Sequence, residues 1–284
     1  MVDGRGGRDM KVPIRLAVEG WPKALQRGNL RNLFVHDPAA IADPDASWEA
    51  FTRAMFHLHV GGTAKITWPN RQADADRLLM EHVDTDGARI VEMGASDGTT
   101  AVELIGRLGD RFASYTITDR WIHVTVTRHA GAWWVWRDER CILVSNGRVV
   151  TWPGQSTALA RLLGPLMSAA ARRPHRDVVM LNPNTRAVLD SDPRVTWLEH
   201  DVFTPLPEPV DVIKVGNLLR RVYFTDDQIR TALQAVHSSL VDGGHLLIAD
   251  HLTEAAAGLY RKTPAGFEPI AETARSEIHE LVAS

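Results

Sequence analysis

The stretch Arg89-Ile-Val-Glu-Met-Gly-Ala-Ser-Asp-Gly-Thr-Thr100 decides the fold of this chain. An apolar run through Ile90, Val91 and Met93 suits a buried strand, residues 94–98 are small enough for a tight turn, and Thr99-Thr100 open a helix. Strand, turn and helix in that order aim backbone N–H groups and a helix N-terminus at a ligand. The helix is expected over about Thr99 to Leu108 and a second strand over about Ala113 to Thr118, which completes a βαβ unit.

Moving outward, the parallel pattern is expected to continue in Asp177-Val-Val-Met-Leu181, Val195-Thr-Trp-Leu198 and Val210-Asp-Val-Ile-Lys-Val215. A helix from about Asp226 to Leu240, with Thr225 as its N-cap, precedes a further strand that Gly243-Gly244 introduces. Gly258 to Lys262 and Phe267 to Ile270 flank Thr263-Pro-Ala-Gly266, the pattern of a terminal hairpin, with Ser276 to Val282 as a returning strand. Between the βαβ unit and the later strands, Ile122–Thr127, Trp133–Trp136, Cys141–Val144 and Arg148–Trp152 alternate β-branched or aromatic with polar residues. Asn146-Gly147 is the sharpest hairpin signal among them. They predict an inserted antiparallel meander over about 121–152, followed by a helix from about Ser156 to Ala170. Trp121, Trp133, Trp134, Trp136 and Trp152 crowd this segment, either filling a core or stacking on a planar substrate.

Upstream, Trp21 to about His82 has helical spacing interrupted by Pro and Gly. One helix is expected from Trp48 through Phe56, with Asp45 and Ser47 as N-cap candidates and Gly61-Gly62 as its stop, and another from about Gln72 to His82. The expected class is therefore α/β: a Rossmann-like, mainly parallel sheet with an antiparallel C-terminal hairpin, an N-terminal helical cap over 1–88, and a main domain over 89–284 carrying the meander.

Composition narrows the function. The chain has 284 residues, 44% of them apolar, enough for one large α/β core. A net charge of −3 with dispersed arginines gives no footprint for a nucleic-acid partner. A single cysteine, Cys141, excludes an internal disulfide framework and fits a reducing cytoplasm. No segment is apolar for long enough to span a membrane, and no signal-peptide pattern opens the chain. His57 and His59 lack carboxylate or Cys neighbours at ligand spacing, so no metal site is expected.

Glu92, Gly94, Ala95, Ser96, Asp97 and Gly98, then Asp119 closing Ser114-Tyr-Thr-Ile-Thr-Asp119, then His200-Asp201-Val202-Phe203, then Asp211-Val-Ile-Lys-Val-Gly-Asn217, resemble in their order the signatures of the class I S-adenosylmethionine-dependent methyltransferases. A dinucleotide-binding turn of the G-x-G-x-x-G type is the rival, but Gly94 pairs with Gly98 and the acids would repel a pyrophosphate. The resemblance implies S-adenosyl-L-methionine as cofactor. It places Gly94 and Gly98 beside the methionine end and ribose, Asp97 on the methionine ammonium, and Asp119 on the ribose hydroxyls, with Asn182 as the competing ribose partner. Asp201, Val202 and Phe203 would hold the adenine, and Asn217 and Leu218 would line the transfer site. Tyr223 and His251 are the candidate catalytic bases, with His200 a third. Arg220, Arg221 and Tyr223 could hold a carboxylate-bearing substrate or merely decorate a helix start.

The expected function is in-line methyl transfer to a small molecule, an activity of small-molecule biosynthesis. The alternative is an enzyme of the same fold that cyclises or transfers the aminocarboxypropyl arm and releases methylthioadenosine. The meander could serve as a homodimer contact, because exposed aromatic strands seek partners.

Overall fold

A computed structural model describes residues 12–58, 67–251 and 255–283. The chain divides into two units, one made of residues 1–66 and 123–183, the other of 67–122 and 184–284.

The first unit is built on β1 (Ile14–Ala17), β2 (Phe34–Val35) and α1 (Trp48–Leu58), which precede the interruption. The second unit's first pass then supplies α2 (Ala73–His82), β3 (Ala88–Met93), α3 (Thr99–Leu108) and β4 (Phe112–Asp119). The chain returns to the first unit for β5 (His123–His129), β6 (Ala132–Arg137), β7 (Arg140–Ser145), β8 (Val149–Thr151), α4 (Thr157–Ala171) and β9 (Arg176–Val179). In that unit the strands run in the order β2-β1-β8-β7-β6-β5-β9, antiparallel apart from the β1/β2 pair. Trp134, Trp136, Cys141 and Val144 bury one face of the meander with Ala170 and Met167 of α4. Trp134 Nε1 donates to the His129 carbonyl at 3.0 Å. These tryptophans are core, and burial lifts the Cys141 thiol to about 12, so it is inert at neutral pH.

Three expectations change here. The 1–88 segment is not a helical cap, because β1 pairs with β8 and places residues 14–17 in the meander sheet, while α2 packs on strands of the other unit. A four-residue strand carries no periodicity of its own; its partner 135 residues away specifies it. The inserted segment extends to 183 rather than 152. Finally, Asp177-Val-Val-Met-Leu181 does not resume the parallel sheet: β9 pairs antiparallel with β5. A short apolar run is equally suited to either sheet, and only its partner decides.

The second unit resumes with α5 (Pro183–Ser191), β10 (Val195–Glu199), β11 (Val210–Gly216), α6 (Asp226–Ser238), β12 (Leu240–His251), β13 (Ala255–Thr263), β14 (Gly266–Glu272) and α7 (His279–Val282). Its sheet has the order β10-β4-β3-β11-β12-β13-β14. The first five strands are parallel and the last two pairings antiparallel, so the terminal hairpin forms as expected. Ser276–Val282 forms no returning strand. Ile278, Leu281 and Val282 are buried at helical spacing and seat α7 on the core. Thr225 caps α6 with a reciprocal capping box to Gln228, which satisfies two N–H groups that a helix start otherwise leaves bare. Ile229, Leu233 and Val236 of α6 pack onto Ile213, Val215, Leu246 and Ile248, each buried side chain contributing about 1.5–3 kcal/mol.

This order makes β3 and β11 neighbours whose chains continue in opposite directions across the sheet. Beyond the C-terminal ends of such a strand pair lies the crevice where open α/β sheets bind ligands.

Candidate functional site

Two loops meet at that crevice. The β3–α3 loop needs left-handed backbone at Gly94 (φ +74°), Ser96 (φ +58°) and Gly98 (φ +82°). A side chain on Gly94 would sit 2.9 Å from Leu218 Cδ2, and one on Gly98 would sit 2.5 Å from Thr185 Cγ2, so both glycines are dictated by space as well as by φ. Opposite, Asn217 also adopts φ +54°. Its N–H donates to the Ala249 carbonyl at 2.8 Å. Ser96 and Asn217 are non-glycine residues in a costly conformation, one on each wall, and strain of that kind persists where the surrounding fold imposes it.

Beneath the loop, Glu92 is 1% exposed. Its carboxylate accepts from Thr100 Oγ1 at 2.6 Å and from Tyr115 Oη at 2.5 Å, and its carbonyl accepts from Thr118 Oγ1 at 3.1 Å. Lys214, its register partner on β11 and fully buried, lies 3.4 Å from Glu92 Oε2 and 2.8 Å from Asp76 Oδ1. Arg107 closes the network on Asp76. Burial alone would depress the Lys214 ammonium; Glu92 and Asp76 together raise it instead, so it stays charged. Burial raises the Asp76 carboxyl, against the pull of Lys214. The Tyr115 phenol is pushed well up, by burial first and the Glu92 charge second, and acts as a donor. Glu92 therefore anchors the loop from below.

The loop itself is laced locally. Asp97, 2% exposed, accepts from Thr99 N at 3.0 Å, while its carbonyl accepts from Thr185 Oγ1 at 3.2 Å. Asp119, at the end of β4, accepts from Ser96 N at 3.0 Å and Trp121 N at 2.9 Å. Ala95 is buried and donates its N–H to Thr118 O at 3.0 Å. Asp201 accepts from Phe203 N at 3.2 Å and pairs with Arg120 at 3.4 Å. Phe203 stacks edge-on against Phe224 at 5.2 Å, and Val202 is buried. His200 N donates to the Asp119 carbonyl at 3.1 Å, which ties the third strand's end to the second's.

Residues 92–98, 119, 201–203 and 217–218 thus gather at one end of one sheet. Asn182 follows β9 in the first unit. Tyr223 is half-exposed, with the Arg220 guanidinium 5.7 Å above its ring. His251 closes β12, but its side chain lies outside what is described, as do His59 and Gly61-Gly62. Lys214, Asp76, Tyr115, Thr185, Arg71 and Gln72 were not anticipated. Lys214 had a signal, a lone cation in an apolar parallel strand, which demands a buried acid on a neighbouring strand.

A fit to S-adenosylmethionine rests on polar atoms left wanting partners. Among the described residues, Ser96 Oγ and Gln72 Oε1 are buried without a hydrogen bond, the first in the turn and the second against Gly216. A ligand with an ammonium, a carboxylate and a ribose diol suits such a mixture of acceptors, hydroxyls and loop N–H groups.

His200 Nε2 is buried without a hydrogen bond among the described residues, and burial holds its imidazole below the usual 6.5 against the pull of Thr204 and Asp201. A depressed folded-state pKa gives stability that is present above the unfolded value and lost as pH falls through the folded one. Urea unfolding between about pH 7.5 and pH 5 should show falling stability, with a shallower fall in His200→Gln. His245, lowered by burial and Arg261, contributes in the same sense.

No protein-family model matches the chain, and no curated protein matches its sequence. Among solved structures, the chain is similar to the N-methyltransferase NodS from Bradyrhizobium japonicum WM9 in complex with S-adenosyl-L-homocysteine, at 14% identity and TM-score 0.33, over 72% of this chain and 73% of that one. It is similar to the S-adenosylmethionine-bound amino pentose methyltransferase CalS10 from Micromonospora echinaspora, at 18% identity and TM-score 0.32, over 69% and 64%. A third is an O-methyltransferase family protein from Burkholderia thailandensis, at 15% identity and TM-score 0.35, over 74% and 43%. The chain spans less than two thirds of the length of the last two. Likenesses this distant assign no activity, and the fold stands on its own strand order.

Proposed function

We propose that this protein is an S-adenosyl-L-methionine-dependent methyltransferase acting on a small molecule. The observation that carries the proposal is the pair of strained, facing loops at the β3/β11 crossing point, with Gly94 against Leu218 and Asp119 bonded to the turn. When bound, the cofactor supplies a methyl group on a sulfonium sulfur, already activated for transfer. The protein's part is then alignment and exclusion of water.

In this proposal the 94–98 turn receives the methionine end, Asp119 orients the ribose hydroxyls, and Asp201 with Val202 and Phe203 holds the adenine. Asn217 and Leu218 stand beside the transfer path. Tyr223, the described candidate base, takes a proton from the acceptor if the acceptor needs to lose one. The acid-lined turn suits a cofactor with a cationic amino-acid end and disfavours a pyrophosphate.

Calorimetric titration with S-adenosyl-L-homocysteine, with NAD as a control, tests the cofactor. Saturable one-to-one binding of the first and no heat with the second is expected; binding of NAD alone would overturn the proposal. Turnover with candidate acceptors should release S-adenosylhomocysteine, and methylthioadenosine as sole product would reassign the chemistry to the aminocarboxypropyl arm.

A further inference from the structure

The turn after β11 holds a buried cation that the fold engages only loosely, through a long ion pair to Asp250 and the face of Tyr223. Arg220 is 9% exposed, yet its Nε, sealed from solvent, makes no hydrogen bond among the described residues. The closest carboxylate oxygen, Asp250 Oδ1, stands 3.8 Å away, beyond hydrogen-bond range. An arginine placed only to neutralise Asp250 would close on it with its planar fork, as Arg89 does on Asp211 at 3.0 Å. Asp250 itself takes a hydrogen bond from Ser276 Oγ at 3.3 Å.

The neighbouring arginines differ instructively. Arg221 is spent on the surface, at 2.8 Å from Asp226 and 2.5 Å from Glu280, and its backbone N–H binds Glu277. Arg71 instead turns toward the crevice, donating to Asn217 Oδ1 at 3.3 Å while its guanidinium lies 4.3 Å over the Trp68 ring. Burial and then the like charge of Arg220 disfavour the Arg71 cation, and the Asp250 carboxylate offsets part of that. Tyr223 completes the group beneath Arg220. The group adjoins the 217–218 wall that meets Gly94.

We infer that the acceptor substrate is an anion whose carboxylate or phosphate is gripped by Arg220, with Arg71 beside it, at the crevice end of β11. This rests on the proposed methyl transfer for the word acceptor, though the anion site stands on its own residues. A guanidinium carries five N–H donors in a fork that matches two oxygens of either group, and a neutral amide cannot replace that charge.

Inorganic phosphate, acetate and neutral acetamide are to be titrated into the protein, with and without saturating S-adenosylhomocysteine, while the arginine Nε–H signals are followed by NMR. Saturable shifts of the Arg220 and Arg71 signals are expected with one or both anions and not with acetamide; which anion binds more tightly separates carboxylate from phosphate. Arg220→Gln should weaken that anion by about tenfold or more, while S-adenosylhomocysteine affinity stays within about threefold of wild type. Arg220→Lys, which keeps the charge and loses the fork, should fall between. Should Arg220→Gln fail to fold, Arg71→Gln and the wild-type shifts carry the test. Absence of saturable anion binding, equal binding of acetamide, or undiminished affinity in folded Arg220→Gln would overturn the inference. Anion binding without S-adenosylhomocysteine binding would instead remove the proposed function and leave the anion site standing.

Discussion

Lys214→Met should lower the unfolding free energy by about 3–5 kcal/mol, the cost of leaving buried acids without their cation. Lys214 Nζ is the group that both Glu92 and Asp76 face, at 3.4 Å and 2.8 Å, with none of the three side chains more than 1% exposed. Methionine preserves much of the packing volume, so the loss measures charge rather than a cavity. Adding Glu92→Gln should recover part of the loss, because one of the stranded acids becomes neutral while Arg107 still serves Asp76. Chemical denaturation of the two single variants and the double variant would give the coupling directly. A loss in Lys214→Met under about 1 kcal/mol would mean that water reaches this network and that the turn has no rigid floor. The raised ammonium also sets a sign with pH: its contribution is complete below the unfolded lysine value and is lost as pH rises through the folded one.

Asp119→Ala should weaken S-adenosylhomocysteine binding by about 100-fold or more, since hydrogen bonds to a charged group contribute roughly 1.5–3 kcal/mol each and a ribose presents two hydroxyls. The substitution also removes the acceptor that holds Ser96 N and Trp121 N. Asp119→Asn separates the two roles. An amide oxygen can still accept from Ser96 N, although its NH2 would then face Trp121 N, so thermal stability should fall less than in Asp119→Ala while affinity falls by about tenfold. Full affinity in a folded Asp119→Ala protein would move the ribose away from the end of β4.

The strand–turn–helix core was legible because its signals are local. An apolar run, small residues in the turn and helix-opening threonines fix 88–108 without reference to distant chain, and the same holds for the α6 N-cap and the β13–β14 hairpin. The failures were all questions of partner. β9 reads as a buried strand whichever sheet receives it, and β1 is too short to announce itself. Ile278, Leu281 and Val282 carried the helical period, but the nearby hairpin favoured a strand reading. At the site, Glu92 was visible as an acid before the turn, whereas its burial depended on register with Lys214. Arg71 and Gln72 lie more than 140 residues from Gly216 and Asn217 in sequence and become neighbours only when the sheet closes.

The interrupted order of the two units bears on how the polypeptide emerges during synthesis. Everything the first unit needs, from β1 through β9, has been made by about residue 183, so it can close first. β3, α3 and β4 are made earlier, yet β3 is an inner strand whose second flank, β11, begins only at Val210. The ligand-facing turn must therefore wait on the nascent chain, its neighbour still inside the ribosome. Newly made protein should show a lag between closure of the aromatic meander and the first appearance of cofactor affinity.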